Sequence, residues 1–136
     1  MTDFPKSRIR LILAPGVALG PGKADLLEGI RDTGSIRAAG NRQSMSYKRA
    51  WNLVGEMNRI FRTPLVETEK GGSKGGGARL TEAGEAVLSH FRGMERVLRE
   101  AAAADIAALQ AMVEPGAATL RTRDSDSALE DPKDGV

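Results

Sequence analysis

The sequence predicts a mainly α-helical fold with a small β-hairpin, and three observations support this class. Apolar residues recur at helical spacing in several segments of the first half of the chain. Two short runs that contain β-branched residues flank the glycine-rich loop 71–77, "GGSKGGG", which is typical of a β-hairpin. The stretch 82–113 has no proline and keeps a helical apolar pattern, which indicates one long helix.

The first predicted elements are a strand and two helices. In the run 8–13, "RIRLIL", the apolar residues Ile9, Leu11 and Leu13 occupy alternate positions. We therefore expect a strand that buries this face. Apolar residues at helical spacing from Ala24 to Ile30, followed by Gly34, predict a first helix that ends at this glycine. Ser35 is then expected to cap a short second helix.

The third predicted helix lies in the segment 44–61, "SMSYKRAWNLVGEMNRIF". At about 100° per residue, its apolar side chains form one stripe centred near Ala50. Ser46 is the expected N-cap, and Pro64 follows the end of the helix. The face opposite the stripe is polar and basic, and it carries Lys48, Asn52, Gly55 and Arg59.

Strand, three helices, strand, glycine-rich turn and strand is the element order of a winged helix-turn-helix domain. In this arrangement the glycine loop is the tip of the wing, where bare backbone can approach a phosphodiester chain and Lys74 supplies a charge. We expect residues 1–113 to form one domain. The helix 82–113 is too long for a domain of this size, so we expect it to pair with a second copy in a homodimer. Residues 114–136 are expected to be a disordered acidic tail.

Charge is distributed unevenly along the chain. The net charge is only +2, but residues 35–80 contain nine Lys or Arg against three Glu. Residues 114–136 contain six acidic side chains against three basic ones. A basic middle favours a polyanionic partner, and a solvated surface with uneven charge is the alternative.

Several function classes are not expected. The chain has no cysteine and one histidine, His90, which excludes disulfides and thiolate metal sites and leaves little for a catalytic site. The segment "GVALGPGKA" follows a predicted strand, but five residues separate Gly16 from Gly22 and Ala24 replaces the hydroxyl residue of a P-loop. We therefore expect no enzyme, cofactor or metal. No apolar run approaches a membrane helix of about 20 residues, so a cytoplasmic protein is expected.

Four segments resemble the N-terminal DNA-binding domain of the ModE family of molybdate-responsive transcription regulators, which are related to LysR-type winged helices. They are "GSIRAAGN" from 34, "MSYKRAWNLVGEMN" from 45, "LVETEKGGSKGGGARLT" from 65 and "EAGE" from 82. The resemblance implies a homodimer that reads a palindromic operator in double-stranded DNA. Family members with the full architecture continue into molybdate-binding modules, whereas about twenty residues follow the long helix here. We therefore expect a regulator that lacks these modules and depends on another effector or on a separate sensor protein.

The resemblance also assigns residues to the DNA site. It implies that the recognition helix starts with Ser46, Tyr47, Lys48 and Arg49, and that Lys74, Gly75 and Gly76 belong to the wing.

From position on the third helix, we expect Tyr47, Lys48 and Asn52 to reach base edges and Arg49 or Arg59 to reach phosphates. The role of Tyr47 is left open between stacking and packing, and Trp51 is expected to pack. The alternative function is a winged-helix protein-protein interaction module without sequence-specific DNA readout.

Overall fold

The computed structural model describes residues 8–69 and 77–116. Within these ranges it has five helices and two two-stranded antiparallel sheets, so the expected class, mainly α with a small β component, is confirmed. No helix in the described part is long and apolar enough to cross a membrane. The strands are β1 Leu11–Ala14, β2 Val17–Leu19, β3 Val66–Glu69 and β4 Gly77–Leu80. The helices are α1 Pro21–Thr33, α2 Ile36–Arg42, α3 Tyr47–Ile60, α4 Glu82–Ala101 and α5 Ala103–Ala111.

The N-terminal strand differs from the expectation of a single strand with one buried face. The chain reverses at Gly16, whose φ of 77° is in the left-handed region, and β1 pairs with β2. The second strand supplies the buried side chains of this hairpin, Ala18 and Leu19. Leu13, which was expected on the buried face, is exposed. The reason is that the core contacts of this hairpin come from β2, whose Leu19 belongs to the hydrophobic core cluster.

The end of α1 and the starts of α2 and α3 lie where the sequence indicates. Gly34 adopts a φ of 73° at the end of α1, and its amide donates to the Ile30 carbonyl at 2.8 Å. The Ser35 hydroxyl accepts from the Ala38 amide at 3.0 Å and caps α2. The Ser46 hydroxyl accepts from the Arg49 amide at 3.0 Å and caps α3 in the same way.

Small residues let these three helices approach one another closely. A Cβ atom added to Gly29 of α1 would lie 2.8 Å from the Cβ of Ala39 in α2. A Cβ on Gly40 would lie 3.0 Å from the Cβ of Ala50 in α3. The α2–α3 turn is tight, and Ser44 within it adopts a positive φ of 55°, which is rare for a residue with a side chain. Gly29 and Ala39 thus fix α1 against α2, and Gly40 and Ala50 fix α2 against α3.

One hydrophobic core joins α1 to α4 and both strands of the second hairpin. Each of these four helices contributes apolar side chains, and α3 buries the positions nearest Ala50. The largest fully buried side chains are Leu26, Leu27, Ile30, Met57 and Leu65.

The expectation of one unbroken helix over 82–113 is wrong in detail, because an irregularity at Ala102 separates α4 from α5. Ala102 has φ −100° and ψ 14°, although its amide still donates to the Leu98 carbonyl at 2.8 Å. Glu95 is the last buried side chain of α4, and α5 has none among its described residues. Packing against the core therefore ends before the irregularity and does not hold the helix regular beyond it.

An ionic cluster fixes α4 on α1. The Arg92 guanidinium donates to Asp25 at 2.7 Å, to Glu28 at 2.7 Å and to Glu95 at 3.0 Å. Burial of this group lowers the pKa of Arg92, but the hydrogen bonds to the carboxylates outweigh it and raise the pKa above its ordinary value. Glu95 is itself buried, so Arg92 compensates a charge that would otherwise be costly to bury.

Candidate nucleic-acid interface

The candidate interface is the exposed side of α3. Its apolar stripe faces the core, which turns Lys48, Asn52 and Arg59 outward, and all three are exposed. Gly55 lies among them, and the Arg59 guanidinium passes 3.6 Å from where a Gly55 Cβ would be. We call these residues the α3 polar face: Lys48, Asn52, Gly55 and Arg59.

The acidic side chain of α3 does not lie on this face. Glu56 is partly buried, and its carboxylate lies 3.8 Å from the Nζ of the buried Lys23 at the start of α1. Lys23 also donates to the Ala18 carbonyl at 2.8 Å. In the described ranges 8–69 and 77–116, no ion pair involves Lys48 or Arg59. The α3 polar face therefore presents cationic charge to solvent.

The start of α3 places the remaining expected site residues of the helix. Ser46 is exposed, and its hydroxyl serves as the N-cap. Tyr47 is exposed to 42 %, and Arg49 is partly buried on the other flank of the helix. Tyr47 and Arg49 thus lie on opposite flanks of the α3 polar face. Lys74, Gly75 and Gly76 lie outside the described residues.

An exposed aromatic pair borders the α3 polar face. Trp51 is exposed to 48 %, so the expectation that it packs in the structure is wrong. Its ring centroid lies 6.2 Å from that of Tyr47, at an interplanar angle of 39°. The Arg37 guanidinium carbon of α2 lies 4.2 Å from the Tyr47 ring centroid, within cation–π distance. We call Arg37, Tyr47 and Trp51 the aromatic row.

Sequence reasoning missed the aromatic row for identifiable reasons. Trp51 lies about 100° from Ala50 around the helix, at the border of the apolar stripe, where an aromatic residue can face either way. This border position on the helical wheel was the sequence signal that Trp51 could be exposed. Arg37 contacts Tyr47 only because the α2–α3 turn is tight, and helical spacing within one element does not show this.

The second hairpin is bound to α3 through one side chain. Asn58 accepts from the Leu65 amide at 2.8 Å and from the Val66 amide at 3.1 Å, and it donates to the Val66 carbonyl at 3.0 Å. These bonds fix the start of β3 beside the C-terminal half of α3. Sequence reasoning assigned no role to Asn58, and the segment carries no signal for it beyond a polar residue near the end of the apolar stripe.

The structure describes seven of the nine basic residues of 35–80, and two of these seven have acidic partners. Arg42 contacts Asp32 at 3.1 Å, and Arg79 contacts Glu67 at 3.2 Å across the β3–β4 pair. The bond to Arg42, followed by the bond to Arg31, lowers the pKa of Asp32. Arg42 and Arg79 are therefore partly neutralised, whereas Lys48 and Arg59 of α3 are exposed.

The chain is similar in sequence to several known proteins. The chain is 43% identical over 83 residues to the molybdenum-pterin-binding protein MopA of Rhodobacter capsulatus, a match that spans 61% of this chain and 31% of that protein. It is 37% identical over 89 residues to the molybdenum transport protein ModE of Azotobacter vinelandii, across 65% and 33% of the two chains. It is 35% identical over 81 residues to the DNA-binding transcriptional dual regulator ModE of Escherichia coli, across 60% and 31%.

The chain is similar to ModE regulators and to Mop proteins. No protein-family model matches it. The match to these relatives spans about a third of their length. Their names describe a molybdenum-pterin-binding protein, a molybdenum transport protein and a transcriptional dual regulator.

Proposed function

We propose that the chain is a winged helix-turn-helix domain of the ModE type that binds double-stranded DNA sequence-specifically and regulates transcription in the cytoplasm. The observation that carries the proposal is the α3 polar face, which is exposed and cationic on a helix whose other side is buried. In this assignment α2 and α3 form the helix-turn-helix and β3–β4 is the wing. Similarity to ModE regulators supports it independently.

The proposed contacts follow from the position of each side chain. The N-terminal part of α3 enters the major groove, which is about 12 Å wide and admits a helix. Tyr47, Lys48 and Asn52 read base edges there, while Arg49 and Arg59 contact phosphates and Ser46 orients the helix start. The wing contacts the adjacent backbone through Lys74, Gly75 and Gly76.

The proposal includes a homodimer and a palindromic operator. Exposed apolar side chains continue along the second half of α4 and along α5, including Val97 at 55 %, Leu109 at 64 % and Met112 at 80 %. A second copy would cover this surface and place two α3 helices about 34 Å apart, one turn of duplex DNA. The proposal assigns DNA binding to this chain and leaves effector sensing to a separate sensor protein or to another part of the molecule.

Selection of bound fragments from a random duplex pool tests the proposal. We expect enrichment of an inverted repeat that the purified chain binds far more tightly than random DNA. Lys48→Ala should then cost about 1–3 kcal/mol on the selected duplex and relax sequence choice. Lys74→Ala should weaken binding to all sequences and reduce the salt slope by about one unit. Equal losses on selected and random DNA for both variants would contradict this division of roles.

A second candidate function is a protein-protein interaction module. The exposed Tyr47 and Trp51 favour it, because aromatic anchors are common in such interfaces. The exposed Lys48 and Arg59 beside them favour DNA. The same selection separates the two, since an interaction module would enrich no sequence.

A further inference from the structure

We infer that the aromatic row contacts the 5-methyl groups of thymines in the major groove and thereby sets part of the sequence preference. The inference rests on the proposed function. It names Trp51 as a specificity-determining residue and Arg37 as a positioning residue for Tyr47, and neither belongs to the expected set of DNA-contacting residues.

Both rings of the aromatic row are exposed. Tyr47 and Trp51 are one helical turn apart on α3, and each leaves more than two fifths of its surface in water. Aromatic side chains of this size usually bury most of their surface because exposure of apolar area is unfavourable. Trp51 does not belong to the hydrophobic core cluster, to which α3 contributes Ala50, Leu53, Val54 and Met57. About half of its side chain is therefore available to a partner.

The aromatic row lies beside the α3 polar face. Around the helix, Tyr47 and Trp51 lie about 60° and 100° from Ala50, whereas Lys48 and Asn52 lie about 160° and 200° from it. The row therefore forms one flank of the surface that the proposal places in the groove. A helix that fills the groove brings its flanks against the base edges and walls on either side.

The chemistry of the groove identifies the contact. Bases in a duplex are stacked, so a ring on α3 cannot stack on a base face without opening the helix. The apolar group that the major groove offers is the thymine 5-methyl, and apolar side chains are its usual partners. Two adjacent rings match that group, whereas neither ring can replace the bidentate contacts that Lys48 or Asn52 can make.

Arg37 restricts the Tyr47 ring. Its guanidinium carbon lies 4.2 Å from the ring centroid and so covers one face of the ring. The other side of Tyr47 meets Trp51 at a centroid distance of 6.2 Å. The ring is thus held between α2 and the next turn of α3, which reduces the side-chain entropy lost on binding. Arg37 acts through Tyr47 in this arrangement.

Uracil substitution provides the test, because it removes the methyl and keeps the pairing and hydrogen-bonding groups. The duplex selected above is synthesised once with thymine and once with deoxyuridine at every thymine, and the purified chain is titrated with both. We expect wild type to bind the thymine duplex more tightly, by about fourfold per contacted methyl. Trp51→Ala should lose most of this preference while its thermal unfolding and its salt slope stay near wild type.

Variants of α2 test the positioning role. Arg37→Gln should lower the thymine-to-uracil affinity ratio, and Arg37→Lys should restore part of it, because lysine keeps the cation. Arg62→Gln is the matched control: Arg62 is exposed beyond the end of α3, so its loss should leave the ratio unchanged. A change of the ratio by Arg62→Gln equal to that by Arg37→Gln would overturn the role of Arg37.

The outcomes for the inference and for the proposed function are distinct. If wild type enriches an operator but binds the thymine and uracil duplexes equally, DNA recognition stands and methyl contact is overturned. If wild type and Trp51→Ala show the same preference for thymine, the preference reflects DNA shape and the inference is also overturned. If no sequence is enriched, both the proposed function and the inference fail.

Discussion

Asn58 shows how one side chain can join two parts of the candidate site. Its three hydrogen bonds satisfy two amides and one carbonyl at the start of β3. Asn58→Ala leaves these partly buried groups without their partner, so we expect the free energy of unfolding to fall by about 2 kcal/mol. Urea denaturation measures the change.

Asn52 provides the control for that substitution. It is the same residue type on the same helix, but it is exposed on the α3 polar face. Asn52→Ala should change the free energy of unfolding by less than about 0.5 kcal/mol and should impair DNA binding instead. Similar destabilisation by the two substitutions would show that the Asn58 bonds do not fix the hairpin.

Asp32 gives a pH-dependent prediction at the same scale. Its hydrogen bonds to Arg42 and then to Arg31 lower the pKa of the carboxyl. A lowered folded-state pKa means that the ion pair stabilises the fold above the ordinary aspartate pKa, and that this contribution is lost as the pH falls through the folded-state pKa. Because the carboxyl is exposed to solvent, the contribution to stability is small.

Carboxyl NMR titration tests this assignment directly. Arg42→Gln should raise the pKa of Asp32 toward its ordinary value, and Arg31→Gln should raise it by less. A larger rise for Arg31→Gln would reverse the order of the two partners.

At the scale of elements, two glycines in α4 are predicted to respond oppositely to the same substitution. A Cβ on Gly84 would overlap the Leu65 carbonyl oxygen, which belongs to rigid backbone, whereas a Cβ on Gly93 would meet nothing within 4 Å. Gly84→Ala should lower the free energy of unfolding by about 2 kcal/mol through overpacking. Gly93→Ala should raise it by up to about 1 kcal/mol through helix propensity. Thermal unfolding of both variants gives the comparison, and a stabilised Gly84→Ala would contradict the close approach.

Elements that depend on neighbouring residues were predicted from the sequence, whereas elements that depend on distant contacts were not. The caps at Ser35 and Ser46 and the stop at Gly34 depend on residues within one helical turn, and all were predicted. The β1–β2 hairpin was missed because the residues of β2 also fit a connecting loop. The irregularity at Ala102 was missed because alanine favours helix and the apolar pattern continues through it.

The candidate site divides in the same way. Exposure of Lys48, Asn52 and Arg59 follows from helical periodicity alone, so it was predictable. The aromatic row depends on a contact between α2 and α3, and the anchoring by Asn58 depends on how the chain returns from α3 to β3. Both are tertiary contacts, which periodicity within one element cannot show. The wing residues Lys74, Gly75 and Gly76 stay a prediction.

At the scale of the whole molecule, the exposed apolar surface of α4 and α5 gives the prediction of a homodimer. Light scattering after size exclusion should give twice the chain mass of 14.5 kDa at micromolar concentration. Leu109→Glu places a charge among the exposed apolar residues and should shift the mass toward the monomer, since an unpaired charge in an apolar interface is costly. A monomeric wild type would contradict the prediction.

Gln110→Glu is the control for that change. It adds a negative charge to the same helix, about 100° away from Leu109, and should leave the mass at that of the dimer. Monomer formation by both variants would mean that added charge, and not loss of the apolar contact, separates the two copies.

The backbone of Leu65 contacts both α3 and the start of α4. Its amide donates to Asn58 of α3, its carbonyl accepts from the Thr81 amide at the start of α4, and Gly84 lies against that same carbonyl. A single residue therefore couples the two helices from both ends of its backbone. In the proposed dimer we expect a reorientation of α4 to displace α3 with it, so the angle between the two copies would set the distance between their α3 helices.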